Sequence, residues 1–174
     1  MRDVGILQRS LSDEIVYGRP EHLRVFVSSQ MHGGVLAAER AAAIEAIDSH
    51  PDYQAWAWER DAAAGPYSAE AVCVRQAASS DALVLLVSDD LTPITVKEFR
   101  AAKKAGVPRF VFLKTGASRT ARAEALVKRE RAGGVTGDFS NPAEVRTQIL
   151  HALRTYALRL HRTSIVQARE ATRS

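Results

Sequence analysis

Apolar residues in this chain fall into short unbroken runs separated by longer stretches with helical spacing. The first run, Leu23 to Ser28 (LRVFVS), does not alternate with polar residues and predicts a strand buried on both faces. It stops in Ser28, Ser29, Gln30, Met31, His32, Gly33 and Gly34, a polar loop whose glycines let backbone approach a ligand or simply turn the chain. A helix follows from about Val35 to Asp48, with Leu36, Ala43, Ile44 and Ile47 spaced to face a sheet. Tyr53 to Glu59 (YQAWAWE) reads as a second strand. Tyr53, Ala55 and Ala57 share one face and Gln54, Trp56 and Trp58 the other, a split that suits an edge. Ser68 then N-caps a helix from Ala69 to about Ala78.

The stretch from Asp81 to Leu113 repeats the pattern. Leu83 to Val87 is a strand that ends in Ser88, Asp89 and Asp90; after Pro93, Thr95 opens a helix with Glu98 in its first turn. Gly106, Val107 and Pro108 close that helix, and Phe110 to Leu113 begins the next strand. Ser118 to Arg131 is a basic helix, and Val135 to Phe139 is a short fifth strand or an irregular substitute for one. Asn141, Pro142 and Glu144 supply an N-cap, a proline at the first helical position and a first-turn acid. The last helix aligns Val145, Ile149, Ala152, Leu153, Tyr156, Ala157 and Leu160. Residues 1–22, broken by Ser12, Gly18 and Pro20, show no sustained period and read as an arm, a candidate dimer contact. Beyond His161 the chain turns polar, so 161–174 is expected to be a fraying tail and 23–160 the domain. Strict alternation of strands and helices predicts a three-layer α/β fold with a parallel sheet of four to five strands. The expected order is 2-1-3-4-5, flavodoxin-like, with its switch point between the first and third strands.

Composition changes this picture little. A chain of 174 residues, 46% apolar and 25% charged, is globular and large enough for one proper core. No apolar run approaches the roughly 20 residues of a membrane span, and the N-terminus is too charged for a secretory signal. The single Cys73 can form no internal disulfide, which favours a reducing, cytoplasmic setting. Charge is asymmetric: residues 1–100 hold 9 Lys/Arg against 15 Asp/Glu, and residues 101–174 hold 15 against 5. The later arginines are spread rather than clustered, which reads as solvated helix faces, and nucleic acid is not the expected partner.

The switch-point rule brings Ser28, Ser29 and Gln30 together with Ser88, Asp89 and the start of the Glu98 helix. Glu59 and Tyr67 come from the neighbouring loop, and Arg40 either points back toward an anion over the strand ends or forms an exposed ion pair. There is no GxGxxG fingerprint, no GxxxxGK[ST] loop, no zinc-spaced His/Cys set and no GxSxG elbow. Asp89 and Asp90 lack a third ligand, so no metal is expected. Cys73 reads as an inert core thiol, and Asp81, at the amino end of its strand, as structural. A carboxylate beside hydroxyls suits chemistry at a sugar's anomeric carbon, whose oxocarbenium-like transition state wants negative charge or a nucleophile nearby. Glu98 has a rival explanation: Thr95 to Glu98 is T-x-x-E, a capping box.

RVFVSSQMHGG, the following AAER, the WERD segment and SSDALVLLVSDDLTPITVKEFRAAKKAGVP resemble a bacterial TIR-like domain family of unknown function, often found before NACHT or repeat modules. The resemblance covers about residues 24–115, and by shared fold it extends to Toll/interleukin-1 receptor domains and nucleoside deoxyribosyltransferases. It departs at Gln30, where the family usually has threonine, and in a short loop with Pro93 and no tryptophan before the glutamate. In both fold relatives a glutamate after the third strand works on an N-glycosidic bond, which implies that role for Glu98. The resemblance thus implies a candidate NAD glycohydrolase in bacterial immune or stress signalling, with NAD or a related nucleotide as substrate and no required cofactor. Ser28, Ser29, Gln30, Glu59, Tyr67, Ser88 and Asp89 would bind substrate, with Tyr67 or Trp58 stacking on the base. A homo-oligomer or a partner signalling protein is also implied. The alternative is a non-catalytic signalling or interaction module of the same fold, in which Glu98 only caps its helix.

Overall fold

The computed structural model describes residues 22–31 and 34–172, so the arm at 1–21 and His32 and Gly33 of the first loop lie outside the described residues. Among the described residues five strands and six helices follow in order: β1 (Leu23–Ser29), α1 (Ala37–Asp48), β2 (Tyr53–Trp56), α2 (Trp58–Asp61), α3 (Ala69–Ser79), β3 (Ala82–Val87), α4 (Pro93–Lys104), β4 (Arg109–Lys114), α5 (Ala121–Gly133), β5 (Gly137–Phe139) and α6 (Pro142–Ala171). The strands form one sheet, ordered β2-β1-β3-β4-β5 and parallel throughout. This is the expected flavodoxin-like α/β architecture, and β5 is a true, if short, strand.

The alternation of side chains along buried strands builds two cores. Val25, Val27, Val84, Leu86 and Phe112 meet α1 and α6 through Ala43, Ile47, Val145, Ile149 and Leu153. On the opposite side Phe26, Leu83, Leu85, Val87 and Leu113 meet α3, α4 and α5 through Cys73, Ala77, Phe99, Ala102 and Val127. Every residue of β3 is buried, as a central parallel strand requires. Trp56 stacks on Phe26, ring centroids 5.0 Å apart and planes 12° from parallel, so this tryptophan is packing. Asp81 accepts the Arg24 N–H at 2.8 Å and its own N–H bonds the Arg24 carbonyl at 2.9 Å, which ties the amino ends of β1 and β3 and fits its structural reading. Gly106 closes α4 with φ at 77°, a conformation that favours glycine.

Four expectations need correction. The second strand ends at Trp56, not Glu59, because Ala57 N-caps α2 while the Asp61 carboxylate accepts the Ala57 N–H at 2.7 Å. Glu59 is therefore on a short helix. Second, α4 begins at Pro93 rather than Thr95: extended Thr92 is the N-cap, its hydroxyl accepting the Thr95 N–H at 3.2 Å, and Pro93 needs no N–H at that position. Glu98 consequently sits in the second turn, not the first, and the Thr95–Glu98 capping box does not form. Third, the last helix does not end near Leu160. With no glycine or proline after Pro142, α6 continues to Ala171, about 45 Å long at 1.5 Å per residue. Its end is exposed, Leu160 included. The basic helix also starts later than read, at Ala121, behind a Thr120 cap. Among the described residues no helix is long and apolar enough to cross a membrane.

Candidate functional site

Parallel-strand geometry sends the two serines at the end of β1 to opposite faces of the sheet. Ser28 follows Phe26 toward α4 and donates its hydroxyl to Glu98 Oε2 at 2.5 Å. Ser29 follows Val27 toward α1, where its hydroxyl accepts from Arg40 Nη1 at 3.1 Å. Freed from the helix end by the Thr92 cap, Glu98 points into the fold and is only 6% exposed. Burial holds its carboxyl above the ordinary value of 4.5; the hydrogen bonds from Ser28 and from the Cys73 thiol, and the Arg40 charge, oppose that shift without cancelling it. Cys73 is pushed up to about 12 by burial, the nearby Glu98 charge and its bond to that carboxyl. The thiol is therefore inert as a nucleophile, in line with its sequence reading, but it is part of the Glu98 environment rather than anonymous core.

Arg40 is neither free for an anion nor in an exposed pair. Its Nε and Nη2 donate to the two oxygens of Glu59 at 2.7 and 2.9 Å, and Nη1 also reaches the Val27 carbonyl at 2.9 Å. The Arg40 side chain is 8% exposed and that of Glu59 41%. The fork holds Glu59 below its ordinary pKa, the hydrogen bond to Arg40 outweighing partial desolvation.

These groups line a cavity of about 260 Å³. Ser28, Ser29, Arg40, Glu98, Thr92 and Thr95 make its polar part, and Phe26, Met31, Trp58, Cys73 and Ile94 much of its apolar wall. It lies at the carboxyl end of β1, beside the start of the helix that follows β3, on the side where open α/β sheets bind ligands. A larger cavity, about 640 Å³, is lined by Phe110, Phe112, His151 and Tyr156 among others. It runs along β4 and β5 beside α6, and no carboxylate lines it. We take the smaller cavity as the site, because it alone joins the switch point to a buried titratable group.

The expected residues divide. Ser28, Ser29 and Glu98 meet in the cavity wall, and Glu59 joins them through Arg40. Gln30, Ser88, Asp89 and Tyr67 are not in that wall. Gln30 Oε1 and Asp89 Oδ1 are buried with no hydrogen-bond partner among the described residues, while the Asp89 carbonyl accepts the Thr120 N–H at 2.7 Å. Ser88 is buried. Tyr67 is 64% exposed beneath the Arg75 guanidinium, 5.6 Å from its ring centre. Trp58 does line the cavity. Sequence reasoning missed Cys73, Thr92 and Thr95 as wall residues. The spacing of Ala69 and Cys73, one helical turn apart on α3, was the available signal. Among the described residues no three His, Cys, Asp or Glu side chains converge to hold a metal.

A five-stranded parallel sheet in the order 2-1-3-4-5, with a buried carboxyl at its switch point, defines a flavodoxin-like α/β domain. More narrowly, the chain belongs to the family described as domain of unknown function DUF4062, which matches residues 24–154. No curated protein matches it in sequence. Among solved structures it is similar to the metal-soaked Flv1 flavodiiron core from Synechocystis sp. PCC6803, at 12% identity and a TM-score of 0.52, over 89% of this chain and 42% of that one. It is also similar to a conserved protein from Enterococcus faecalis V583, at 13% identity and a TM-score of 0.51, over 75% of this chain and 99% of that one. At such identities these likenesses concern the fold alone.

Proposed function

We propose that this is a TIR-like domain that binds NAD or a related nucleotide and hydrolyses its base–ribose bond, with Glu98 as the catalytic residue. The observation that carries the reading is the Glu98 carboxyl, buried in the wall of a cavity at the switch point, bonded to Ser28 and free of any capping duty. Burial that disfavours the lone negative charge also makes that charge respond strongly to a positive partner. An oxocarbenium-like carbon would be stabilised more in the transition state than the neutral sugar is in the ground state. In the reaction the C1′–N bond breaks with its electron pair leaving on the base, and water oxygen bonds C1′ while its proton passes to solvent or to Glu98. Ser28 and Ser29, with Thr92 and Thr95, supply cavity-wall hydroxyls for the ribose, and Trp58 is the aromatic wall for the base. A role in bacterial immune or stress signalling, and self-assembly, rest on the TIR resemblance alone.

The test is nicotinamide release from NAD by the full chain and by Glu98→Gln. The expected result is release by the parent and a loss of about 10²-fold or more in the variant. Equal background release from both would leave the non-catalytic signalling module as the better account.

A further inference from the structure

We infer that Arg40 is a concealed anion site, which takes the phosphate or diphosphate of a nucleotide when Glu59 gives up the guanidinium. The inference rests on the nucleotide reading for the identity of the ligand, and on the Arg40–Glu59 geometry for the anion site itself. Among the described residues Arg40 is the only cation in the wall of the Glu98 cavity. Its guanidinium is fixed from behind, where Nη1 is held by the Val27 carbonyl and the Ser29 hydroxyl. Those two bonds aim the other edge of the fork, Nε and Nη2, at a planar pair of oxygens, now those of Glu59. A phosphate offers two oxygens to the same edge, and a bidentate carboxylate site accepts it without reorganisation of the arginine.

The two partners are unequal. Arg40 is anchored and buried, whereas Glu59 sits on the four-residue helix α2 with its side chain 41% exposed. Glu59 can be resolvated where it stands, so it is the partner that leaves. At about 260 Å³ the cavity is smaller than the roughly 300–1,000 Å³ of drug-sized sites. It accommodates a ribose and base rather than a whole dinucleotide, and the phosphates then fall at its rim, where Glu59 stands. Glu59 thus acts as a stand-in for ligand phosphate and sets how strongly the site prefers a phosphorylated over an unphosphorylated nucleoside.

The experiment is a titration of the full chain with inorganic pyrophosphate at constant ionic strength, followed by the Arg40 Nε–H signal in NMR spectra. The parent, Glu59→Gln and Glu59→Ala are compared. The expected result is about tenfold or greater tightening of pyrophosphate binding in both variants, with the Arg40 signal moving in step. Nicotinamide mononucleotide should gain similarly, and nicotinamide riboside should not. Equal pyrophosphate affinity in all three proteins, or binding that leaves the Arg40 signal unmoved, would overturn the inference. Because pyrophosphate carries neither base nor ribose, this result is independent of whether Glu98 cleaves a glycosidic bond.

Discussion

Replacement of Arg40 by methionine should destabilise the domain far more than replacement of Glu59, although the two share one ion pair. Methionine keeps most of the apolar stem and packs in the same space, so the loss is polar. The Val27 carbonyl and the Ser29 hydroxyl, both buried, lose their Nη1 donor. An unsatisfied buried acceptor costs about 1–3 kcal/mol. Glu59 also loses its partner, but its side chain is 41% exposed and water takes over, so this part is about 1 kcal/mol or less. Together, two unsatisfied buried acceptors and one exposed carboxylate put the loss at about 3–5 kcal/mol. Glu59→Gln keeps an acceptor for Nε and leaves both Nη1 bonds intact, so about 1–2 kcal/mol is expected. Urea unfolding, followed by the fluorescence of Trp56 and Trp58 on the adjoining strand and helix, measures both single variants and the double variant. The cycle should return a coupling of about 0.5–3 kcal/mol. An Arg40→Met loss below about 1 kcal/mol with an unchanged urea slope would refute the reasoning, because it would mean that the Nη1 anchor carries no stability.

Two further outcomes follow from the same cluster. The Glu98 carboxyl is held above its ordinary value of 4.5, so its contribution to stability is fully present below that value and is lost as pH rises through the raised folded value. Glu98→Gln cannot ionise, and it should gain stability relative to the parent across that window, by about 1.4 kcal/mol per unit of elevation. A difference between the two proteins that stays flat from pH 4 to pH 8 in urea melts would show that Glu98 does not titrate as a buried acid. Cys73, with its thiol pushed up to about 12, should react with iodoacetamide at pH 8 at least a hundredfold more slowly in the native protein than in urea. Comparable rates in the two states, read by mass spectrometry, would contradict its burial against Glu98.

The architecture was legible because it depends on patterns that survive local error. Leu83 to Val87 is unbroken and apolar, and such a run has no place except the middle of a parallel sheet with helices on both sides. Short connections and right-handed crossovers then leave few strand orders. Element ends were less legible because each is decided by one or two hydrogen bonds. Trp58 and Glu59 extend the strand pattern in sequence, yet the Asp61 carboxylate at the Ala57 N–H turns the chain into α2. Thr92 and Thr95 are both plausible caps; Pro93, which fits the first helical position, decides for Thr92.

That single cap governs the site. Had Thr95 been the N-cap, Glu98 would lie at the third helical position, where its carboxyl reaches back to the helix start and is spent on a backbone N–H. With the helix begun three residues earlier, Glu98 moves into the second turn, where no free N–H is left to claim it and the helix face directs it at β1. Its partners could not be read from spacing. Ser28 is 70 residues away along the chain, and Cys73 comes from a third element, so only the β1–β3 register and the packing of α3 against α4 bring them together. Arg40 and Glu59 were each visible as charges near the strand ends, but the sequence ranked an exposed pair against a free arginine and had no way to foresee a buried fork anchored on Val27 and Ser29. The inward-facing position of Glu98 therefore depends on a threonine–proline choice at the start of α4, which turns a would-be capping residue into a buried acid.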